Sequence, residues 1–353
     1  MEYITSSTAL SPGRTWRADL GCVLFTAACA FIFVAFSSCT EGKPSPQVSD
    51  QSDTTGTPDQ STQPDQPGPA PAPGQPPAQP SNPTLDKFVV WGDSTTSGIG
   101  ASNPYLSYPA QLELLTGRKT FNGGVSGQTS DQIAAREGGA PALLTLPNNT
   151  LPASGPVVIQ AQTTLPITSE GPGPITGTIR GFHGTLNYEA GSTPRLVFTR
   201  DDVGIRETIP AQTPFYPDTF AREAQINVFW MGQNNFYDPP GVKSDIAKSV
   251  AFLSKDTFIV MSLLNAGDES IGTWQYDTLA QINADLAQTY PGHFLDIRKI
   301  LVNKYDPANP QDVRDHKNDV PPSSLRNDNE HLNDKGYGIV AREIADFVAK
   351  KYW

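Results

Sequence analysis

Four short segments of the chain carry the residue types that nucleophilic catalysis uses. In chain order they are residues 92–94 (Gly-Asp-Ser), 122–127 (Asn-Gly-Gly-Val-Ser-Gly), 232–235 (Gly-Gln-Asn-Asn) and 328–331 (Asp-Asn-Glu-His). Together they offer a serine hydroxyl, backbone and side-chain amide donors, and a histidine with a carboxylate close to it in the sequence. Acyl transfer through a covalent intermediate requires this set of groups.

Ser94 is the predicted nucleophile. Its segment follows an apolar run at residues 87–91, and a tight turn at the end of a buried strand would hold the side chain exposed and rigid. A serine hydroxyl becomes nucleophilic when a neighbouring base removes its proton. His331 is the predicted base. Asp328 is the carboxylate that would orient the imidazole and stabilise its protonated form.

The same segments offer hydrogen-bond donors for a developing oxyanion. The predicted donors are the backbone N–H groups of Ser94 and Gly124 and the side-chain amide of Asn234. Glycine lets a substrate oxygen approach the backbone closely, and asparagine adds a donor from another strand. Each segment, taken singly, fits an ordinary turn or loop cap better than a functional site. Their conjunction in one order, with three of them directly after predicted strands, favours catalysis.

The four segments resemble the four sequence blocks of the SGNH, or GDSL-type, hydrolases. The residues that give the family its name would be Ser94, Gly124, Asn234 and His331. Asp328 would complete the triad. The resemblance covers about residues 85–140 and 219–353. It implies a three-layer α/β/α sandwich around a parallel sheet of about five strands, ester hydrolysis, and no metal or organic cofactor.

Two positions depart from the family pattern. Thr95 stands where the first block often has leucine, which is a common variation. Asn235 replaces an aspartate that is frequent after the third-block asparagine. Position 235 is not usually assigned a catalytic role, so Asn234 keeps its predicted role and only the electrostatics of the loop around Asn235 are in question.

Apolar runs and helical periodicities alternate along the rest of the chain. Strands are predicted at residues 87–91, 119–122, 226–231, 257–264 and 294–297, and helices at residues 108–116, 130–136, 276–290 and 337–350. Strands that alternate with helices indicate a parallel sheet covered on both faces, an α/β fold. Ligands bind beyond the carboxyl ends of such strands, which is where three of the four segments fall.

Residues 141–218 interrupt this alternation. They contain many proline, glycine and threonine residues, short alternating runs and no convincing helix, which predicts a β-rich insertion. Both a structural flap and a glycan-holding module are compatible with such an insertion. The predicted organisation is a signal peptide (1–38), a linker (39–84), the first part of the hydrolase domain (85–140), the insertion (141–218) and the second part (219–353).

The N-terminal segment is typical of an export signal. Arg14 and Arg17 precede an apolar run at residues 20–36, and small residues lead to Cys39. The pattern resembles a bacterial lipoprotein signal, although Phe36 stands where an aliphatic residue is usual. The resemblance implies that Cys39 carries a lipid that attaches the protein to a membrane of the cell envelope. An uncleaved anchor and ordinary secretion are the alternatives, and all three place the body outside the cytoplasm.

The stretch between this segment and the body is predicted to be a disordered linker. Residues 40–84 are rich in proline and contain no aromatic residue, so they cannot bury enough apolar surface to offset the entropy of ordering. Extended chain of about 3.1 Å per residue would let this linker reach on the order of 100 Å from a membrane.

Composition and residue types exclude several other functions. The net charge of −11, with no basic block, disfavours binding to nucleic acid. The three cysteines all lie in the first 39 residues, so the body has no disulfide framework, cysteine nucleophile or thiolate metal site. No histidine-rich metal motif is present, and no glycine-rich loop carries a phosphate-binding lysine.

The predicted function is therefore hydrolysis of a carboxylic ester by an exported serine enzyme. The partner would be an ester substrate, either an acetylated polysaccharide of the envelope or environment, or an acyl lipid as for a lysophospholipase or lipase. A non-catalytic glycan-binding protein on the same scaffold is the alternative from another class. That alternative gives the chain no reason to retain the complete catalytic set.

Overall fold

The computed structural model describes residues 87–191, 195–218 and 226–353. The predicted signal peptide, the linker and Cys39 therefore lie outside the described residues. The first part of the body contains strand β1 (Lys87–Gly92), helix α1 (Ser94–Ser97), helix α2 (Tyr108–Thr116), strand β2 (Lys119–Gly124) and helix α3 (Ser130–Glu137).

The next part consists of short strands. They are β3 (Leu143–Thr145), β4 (Thr150–Leu151), β5 (Pro156–Val158), β6 (Ala161–Gln162), β7 (Ile175–Ile179), β8 (Phe182–Glu189), β9 (Arg195–Arg200), β10 (Glu207–Thr208) and β11 (Thr213–Pro217). All their pairings are antiparallel, in one sheet of order β5-β9-β8-β7-β11-β3-β6 and in the pair β10-β4. A β-rich region is thus present where the sequence predicts it, and it has its own buried aliphatic and aromatic core.

The chain then returns to alternating strands and helices. These are β12 (Ile226–Trp230), α4 (Pro239–Phe252), β13 (Phe258–Met261), α5 (Trp274–Thr289), β14 (Phe294–Leu295), α6 (Ile297–Val302), α7 (Pro310–Lys317) and α8 (Asp334–Lys351). Among the helices of the described ranges, none combines the length and apolar composition that a bilayer span needs.

A five-stranded parallel sheet of order β14-β13-β12-β1-β2 forms the centre of this α/β part. Successive side chains of β1 point to opposite faces. Phe88 and Val90 belong to a core that includes residues of α2, α6 and α8, whereas Val89 and Trp91 belong to a core with residues of α3, α4 and α5. Strands β1, β12 and β13 are therefore buried on both faces, whereas the edge strand β2 is partly exposed. The predicted three-layer α/β/α fold with five parallel strands and a β-rich insertion is confirmed.

Candidate active site

The end of β1 places Ser94 at the carboxyl edge of the sheet. Gly92 closes the strand where a Cβ atom would lie 2.1 Å from Thr96 Oγ1 and 2.5 Å from the Trp230 carbonyl oxygen, so a larger residue does not fit. Asp93 caps α1 because its Oδ1 accepts a hydrogen bond of 3.0 Å from the Thr95 N–H. Ser94 is the first residue of α1, so its N–H has no acceptor within the helix.

The structure brings Ser94, His331 and Asp328 together. His331 Nε2 lies 3.0 Å from Ser94 Oγ, and His331 Nδ1 lies 3.1 Å and 3.0 Å from the two carboxylate oxygens of Asp328. One ring nitrogen therefore faces the hydroxyl while the other faces the carboxylate. The imidazole is largely shielded, with 17% of its side chain exposed, whereas 45% of the Asp328 side chain is exposed.

The loop that carries His331 is fixed at both ends. The Asn327 N–H donates to the His331 carbonyl oxygen, which closes the turn around residues 327–331. Asn333 caps α8, because its Oδ1 accepts from the Lys335 and Gly336 N–H groups, while its Nδ2 donates back to the Ser324 and Arg326 carbonyls. The position of the base is thus set by the start of a long helix.

Hydrogen bonds hold Asp328 in its ionised form. Burial raises the pKa of this carboxyl, but the N–H groups of His331 and Glu330 and the His331 ring outweigh burial and lower the pKa to about 2. The Asp328 Oδ1 accepts from both backbone N–H groups, at 2.7 Å and 2.8 Å. The carboxylate can therefore stabilise a charged imidazolium at any physiological pH.

A second carboxyl group, Asp93, lies beneath the site. Only 2% of Asp93 is exposed, and its Oδ2 has no hydrogen-bond partner in the described part of the chain. Burial raises the pKa of Asp93 to about 6, although the Thr95 hydrogen bond and the charge of His331 act in the opposite direction. Sequence reasoning assigned this residue no role beyond its motif.

Gly124 lies close to α1, but its N–H is engaged. A Cβ atom at this position would lie 2.1 Å from the Ser97 nitrogen, so only glycine permits this approach of β2 to α1. The Gly124 N–H donates to Asn122 Oδ1 at 2.9 Å. Its predicted role as an oxyanion donor stays a prediction, and it requires the Asn122 side chain to turn away when substrate binds.

Gly127 is a second candidate donor in the same segment, one that the sequence reasoning missed. It lies exposed with φ of +73°, a conformation that favours glycine, and nothing lies within 4 Å of where its Cβ would be. The neighbouring Ser126 Oγ lies 3.4 Å from Ser97 Oγ, which itself donates to the Ser94 carbonyl oxygen. This turn therefore borders the helix that begins with the nucleophile.

Asn234 contacts that turn from the loop after β12. Its Nδ2 donates to the Gln128 carbonyl oxygen at 2.9 Å, so one N–H of the amide orients the side chain and the other is left for a ligand. Gly232 opens the loop with φ of +117°. The structure thus brings the predicted third-block residue beside the second block, as a site at the sheet edge requires.

Asn235 takes part in a buried network below Asn234. Its Oδ1 accepts from the Ser130 N–H, and its Nδ2 donates to Ser130 Oγ, which donates onward to Asp245 Oδ2. This loop is therefore tied to the beginning of α3 and to α4. The network explains why asparagine stands at position 235 in place of the family's aspartate. The Ser130 hydroxyl already donates to the Asp245 carboxylate, so it needs a donor and not a second carboxylate from position 235.

Sequence reasoning also missed a buried guanidinium that braces the second block. Arg136 donates to Gln128 Oε1 through Nε and Nη2, and also to the Gly123 carbonyl oxygen at 2.7 Å. It stacks over Trp91 at 5.2 Å. Burial lowers the pKa of Arg136 to about 10, so the group stays charged at neutral pH. An arginine amid polar helix residues carries no sequence signal of such a role.

Within residues 87–191, 195–218 and 226–353, no three His, Cys, Asp or Glu side chains are grouped so that they could hold a metal ion. The expectation that catalysis needs no cofactor stays a prediction.

No protein-family model matches the chain. Among curated proteins, the tail spike protein of Salmonella phage epsilon15 is 26% identical over 266 residues, which cover 68% of this chain. The match covers 25% of the tail spike protein, so the chain spans about a quarter of the length of that relative.

Several solved structures align with the chain at low sequence identity. An acetyl xylan esterase, AlAXEase, is 13% identical, with 74% of this chain and 99% of that chain covered and a TM-score of 0.40. The psychrotrophic esterase EstA from Pseudoalteromonas sp. is 11% identical, with 76% and 98% covered and a TM-score of 0.40. AlinE4, an SGNH-hydrolase family esterase, is 13% identical, with 60% and 75% covered and a TM-score of 0.31.

The fold implied by the sequence resemblance is present in the molecule. The strand pairings give the order and direction of the five parallel strands, and the two cores give the helices on both faces. The chain has the parallel-sheet α/β/α fold expected of the SGNH, or GDSL-type, hydrolases.

Proposed function

We propose that the protein is a serine hydrolase that cleaves carboxylic esters through an acyl-enzyme. The observation that carries this proposal is the alignment of Ser94 Oγ, the His331 ring and the Asp328 carboxylate at hydrogen-bonding distances of 3.0–3.1 Å. A nucleophile, a base and an orienting carboxylate in this order are the parts of a serine triad.

The reaction begins when Ser94 Oγ attacks the ester carbonyl while His331 Nε2 takes the hydroxyl proton. The Asp328 carboxylate accepts from the Nδ1–H and stabilises the imidazolium. His331 then gives the proton to the leaving alkoxide, and the alcohol departs. Water repeats the sequence against the acyl-enzyme, releases the carboxylic acid and restores the Ser94 hydroxyl.

Three kinds of donor would hold the tetrahedral oxyanion. The Ser94 N–H lies at the start of α1, the free N–H of the Asn234 amide faces away from Gln128, and the turn between Gly124 and Gly127 offers a further backbone N–H. Of the two glycines, Gly127 is favoured because the Gly124 N–H already donates to a side chain. Removal of one such donor typically lowers the rate by about 10²–10³.

Hydrolysis of p-nitrophenyl acetate by the purified protein tests this proposal. We expect Ser94→Ala to lower kcat by about 10³-fold or more, because no neighbouring group replaces the nucleophile. Ser154→Ala, an exposed serine in the β-rich insertion, is the matched control and should leave the rate unchanged. Equal activity of the Ser94→Ala variant and the wild type would disprove the proposal.

We further propose that the enzyme is exported and tethered to a membrane of the cell envelope through a lipid on Cys39. The basic flank, apolar run and small residues that precede this cysteine support the proposal. A lipid at the end of the proline-rich linker would let the enzyme work at a distance from the membrane.

A further inference from the structure

Three aromatic side chains form an exposed cluster, here called the aromatic platform: Phe236, Tyr237 and Trp274. The ring centroids of Phe236 and Trp274 are 5.7 Å apart and stacked, with 28° between the ring planes. The rings of Phe236 and Tyr237 meet edge to face at 6.5 Å. Trp274 is 59% and Tyr237 66% exposed, whereas Phe236 is half-buried and packs against the hydrophobic core. The platform is therefore anchored by Phe236 and presents two rings to solvent.

The platform lies at the same edge of the sheet as the candidate active site. Phe236 and Tyr237 follow Asn234 on the loop after β12, and Trp274 begins α5 after the neighbouring strand β13. The loop that leads from β13 to Trp274 also reaches the loop of the base, because the Gly267 N–H donates to the Asn329 carbonyl oxygen at 2.8 Å. The platform thus lies on two neighbouring loops, one that carries Asn234 and one that contacts the loop of Asp328.

Carboxylates lie on the loop that connects the platform to the base, and on the loop of the base itself. The Asn329 amide donates to Asp268 Oδ1 on the connecting loop. The pKa of the nearby Glu269 is raised by burial, and further by the charges of Asp268 and Glu330. Carboxylates on this rim accept hydrogen bonds from hydroxyl groups and repel anionic head groups and fatty-acid anions.

This combination of groups matches one class of ligand. A pyranose ring has an apolar face of C–H groups that packs on an aromatic ring, and a rim of hydroxyl groups that donate to carboxylate and amide oxygens. Aromatic rings that are grouped on the surface beside a polar site are a feature of ligand-binding grooves, unlike a single exposed ring such as Tyr352. An acyl chain could pack on the rings, but it offers no hydrogen bonds to the carboxylates of the connecting loop.

We propose that the aromatic platform is a sugar-binding subsite, and that the ester cleaved at Ser94 is carried by an uncharged polysaccharide. This inference rests on the proposed esterase function and names its substrate class. Stacking of a sugar on Trp274 and Tyr237 would hold the polymer across the loops of Asn234 and Asp328. The platform acts in substrate binding, so its loss should raise KM and leave the chemistry at Ser94 intact.

The test compares a polymeric and a small substrate in the same variants. Tyr237→Ala and Trp274→Ala, singly and together, are assayed on chemically acetylated xylan and glucomannan and on p-nitrophenyl acetate. We expect the double variant to lose about tenfold or more in kcat/KM on at least one polymer, through KM, with unchanged rates on p-nitrophenyl acetate. Both side chains are exposed, and the helix cap at Thr273 does not involve the indole, so the variants should fold.

Tyr352→Ala is the matched control. Tyr352 is 83% exposed, and it follows α8. The 18 residues of α8 separate it from the end that bears His331 by about 27 Å of helix. This variant should behave as wild type on every substrate.

Three outcomes would overturn the proposal. They are an equal loss on the polymers and on p-nitrophenyl acetate, no loss on either polymer, and a loss confined to long-chain p-nitrophenyl esters, which would assign the platform to acyl chains. Failure of the esterase function itself is recognised separately, because wild-type protein would then cleave no aryl ester. In that case, titration of the wild type and the double variant with acetylated xylan measures sugar binding, and equal affinity of the two would overturn the platform proposal.

Discussion

Ser94 Oγ and His331 Nε2 lie 3.0 Å apart although 237 positions separate the two residues in the chain. Strand β1 ends at Gly92, two residues before the nucleophile, and the base lies two residues before Asn333, the cap of α8. The Tyr337 hydroxyl of α8 donates to the Ile99 carbonyl oxygen just after α1. The packing of α8 onto the segment after β1 therefore sets the distance between nucleophile and base.

Asp328→Asn should lower kcat on p-nitrophenyl acetate by about 10²–10⁴, because asparagine cannot stabilise the imidazolium and favours the wrong tautomer of His331. Steady-state kinetics at pH 7 to 8 measure the effect. Glu330→Gln, which changes a neighbouring carboxylate outside the triad, is the control and should retain activity within about twofold. An equal effect of the two substitutions would refute the orienting role of Asp328.

Asp93→Asn should stabilise the fold at alkaline pH. The pKa of Asp93 is raised by burial from 3.8 to about 6, so the folded state holds this proton more tightly than the unfolded state. Stability therefore falls as pH rises from about 4 to about 6, by at most about 3 kcal/mol, and stays lowered above that range. Asparagine mimics the neutral carboxyl group and avoids this loss.

Urea unfolding of the Asp93→Asn variant and the wild type at pH 4 and pH 8 measures this difference. We expect about 1–3 kcal/mol in favour of the variant at pH 8 and little difference at pH 4. A variant that is less stable than wild type at pH 8 would show that Asp93 is stabilised as a carboxylate.

Asn235→Asp should destabilise the protein at neutral pH. The Ser130 hydroxyl donates to Asp245 and accepts from the Asn235 amide. A carboxylate at position 235 could not donate to this hydroxyl, and its charge would be repelled by the nearby Asp245 carboxylate. Burial would raise the pKa of the new carboxyl, so the loss of stability should grow as pH rises above about 4.

We expect the loss to reach about 1–3 kcal/mol at pH 7, measured by urea unfolding at pH 4 and pH 7. Asn187→Asp, at an exposed position in the β-rich insertion, controls for added charge. A pH-independent effect would show that the network tolerates either residue.

Cys39→Ala should abolish lipid attachment. Metabolic labelling with an alkyne-bearing fatty acid in a bacterial host, followed by membrane fractionation, should label wild-type protein and leave the variant unlabelled. Cys29→Ala, which alters a cysteine within the apolar run, is the control and should label normally. Normal labelling of the Cys39→Ala variant would disprove lipidation at this position.

The sequence predicts the α/β fold well where apolar runs are long. Strands β1 and β12 lie within one residue of their predicted ends, and α2 has the predicted bounds. The strand predicted at 257–264 is observed at Phe258–Met261; the Ser262 N–H still donates to the Leu295 carbonyl oxygen, and residues 263 and 264 continue as a buried loop. Apolar content alone cannot separate a buried loop from a strand.

The sequence does not predict helices α4, α6 and α7, because their apolar periodicity is weak or short. Helix α4 begins with two prolines and carries a mixed sequence, and α6 and α7 are short. The predicted starts of α5 and α8 are late by two and three residues, since Thr273 and Asn333 cap the helices before their apolar stripes begin.

Part of the candidate site, like part of the fold, could be predicted from the sequence. The motif residues Ser94, His331 and Asp328 could be named from the sequence because their chemistry is carried by residue type and local spacing. The acceptor of the Gly124 N–H and the bracing of Gln128 by Arg136 depend on side-chain rotamers and long-range packing, which no local pattern encodes.

The most direct test of catalysis by Ser94 is covalent labelling of the folded wild-type protein with a fluorophosphonate, followed by peptide mass spectrometry. We expect a single adduct on Ser94, and labelling slowed by at least about 100-fold in His331→Ala, because the hydroxyl then lacks its base. Absence of an adduct on Ser94 in folded wild-type protein, or undiminished labelling of the His331→Ala variant, would disprove activation of Ser94 by His331.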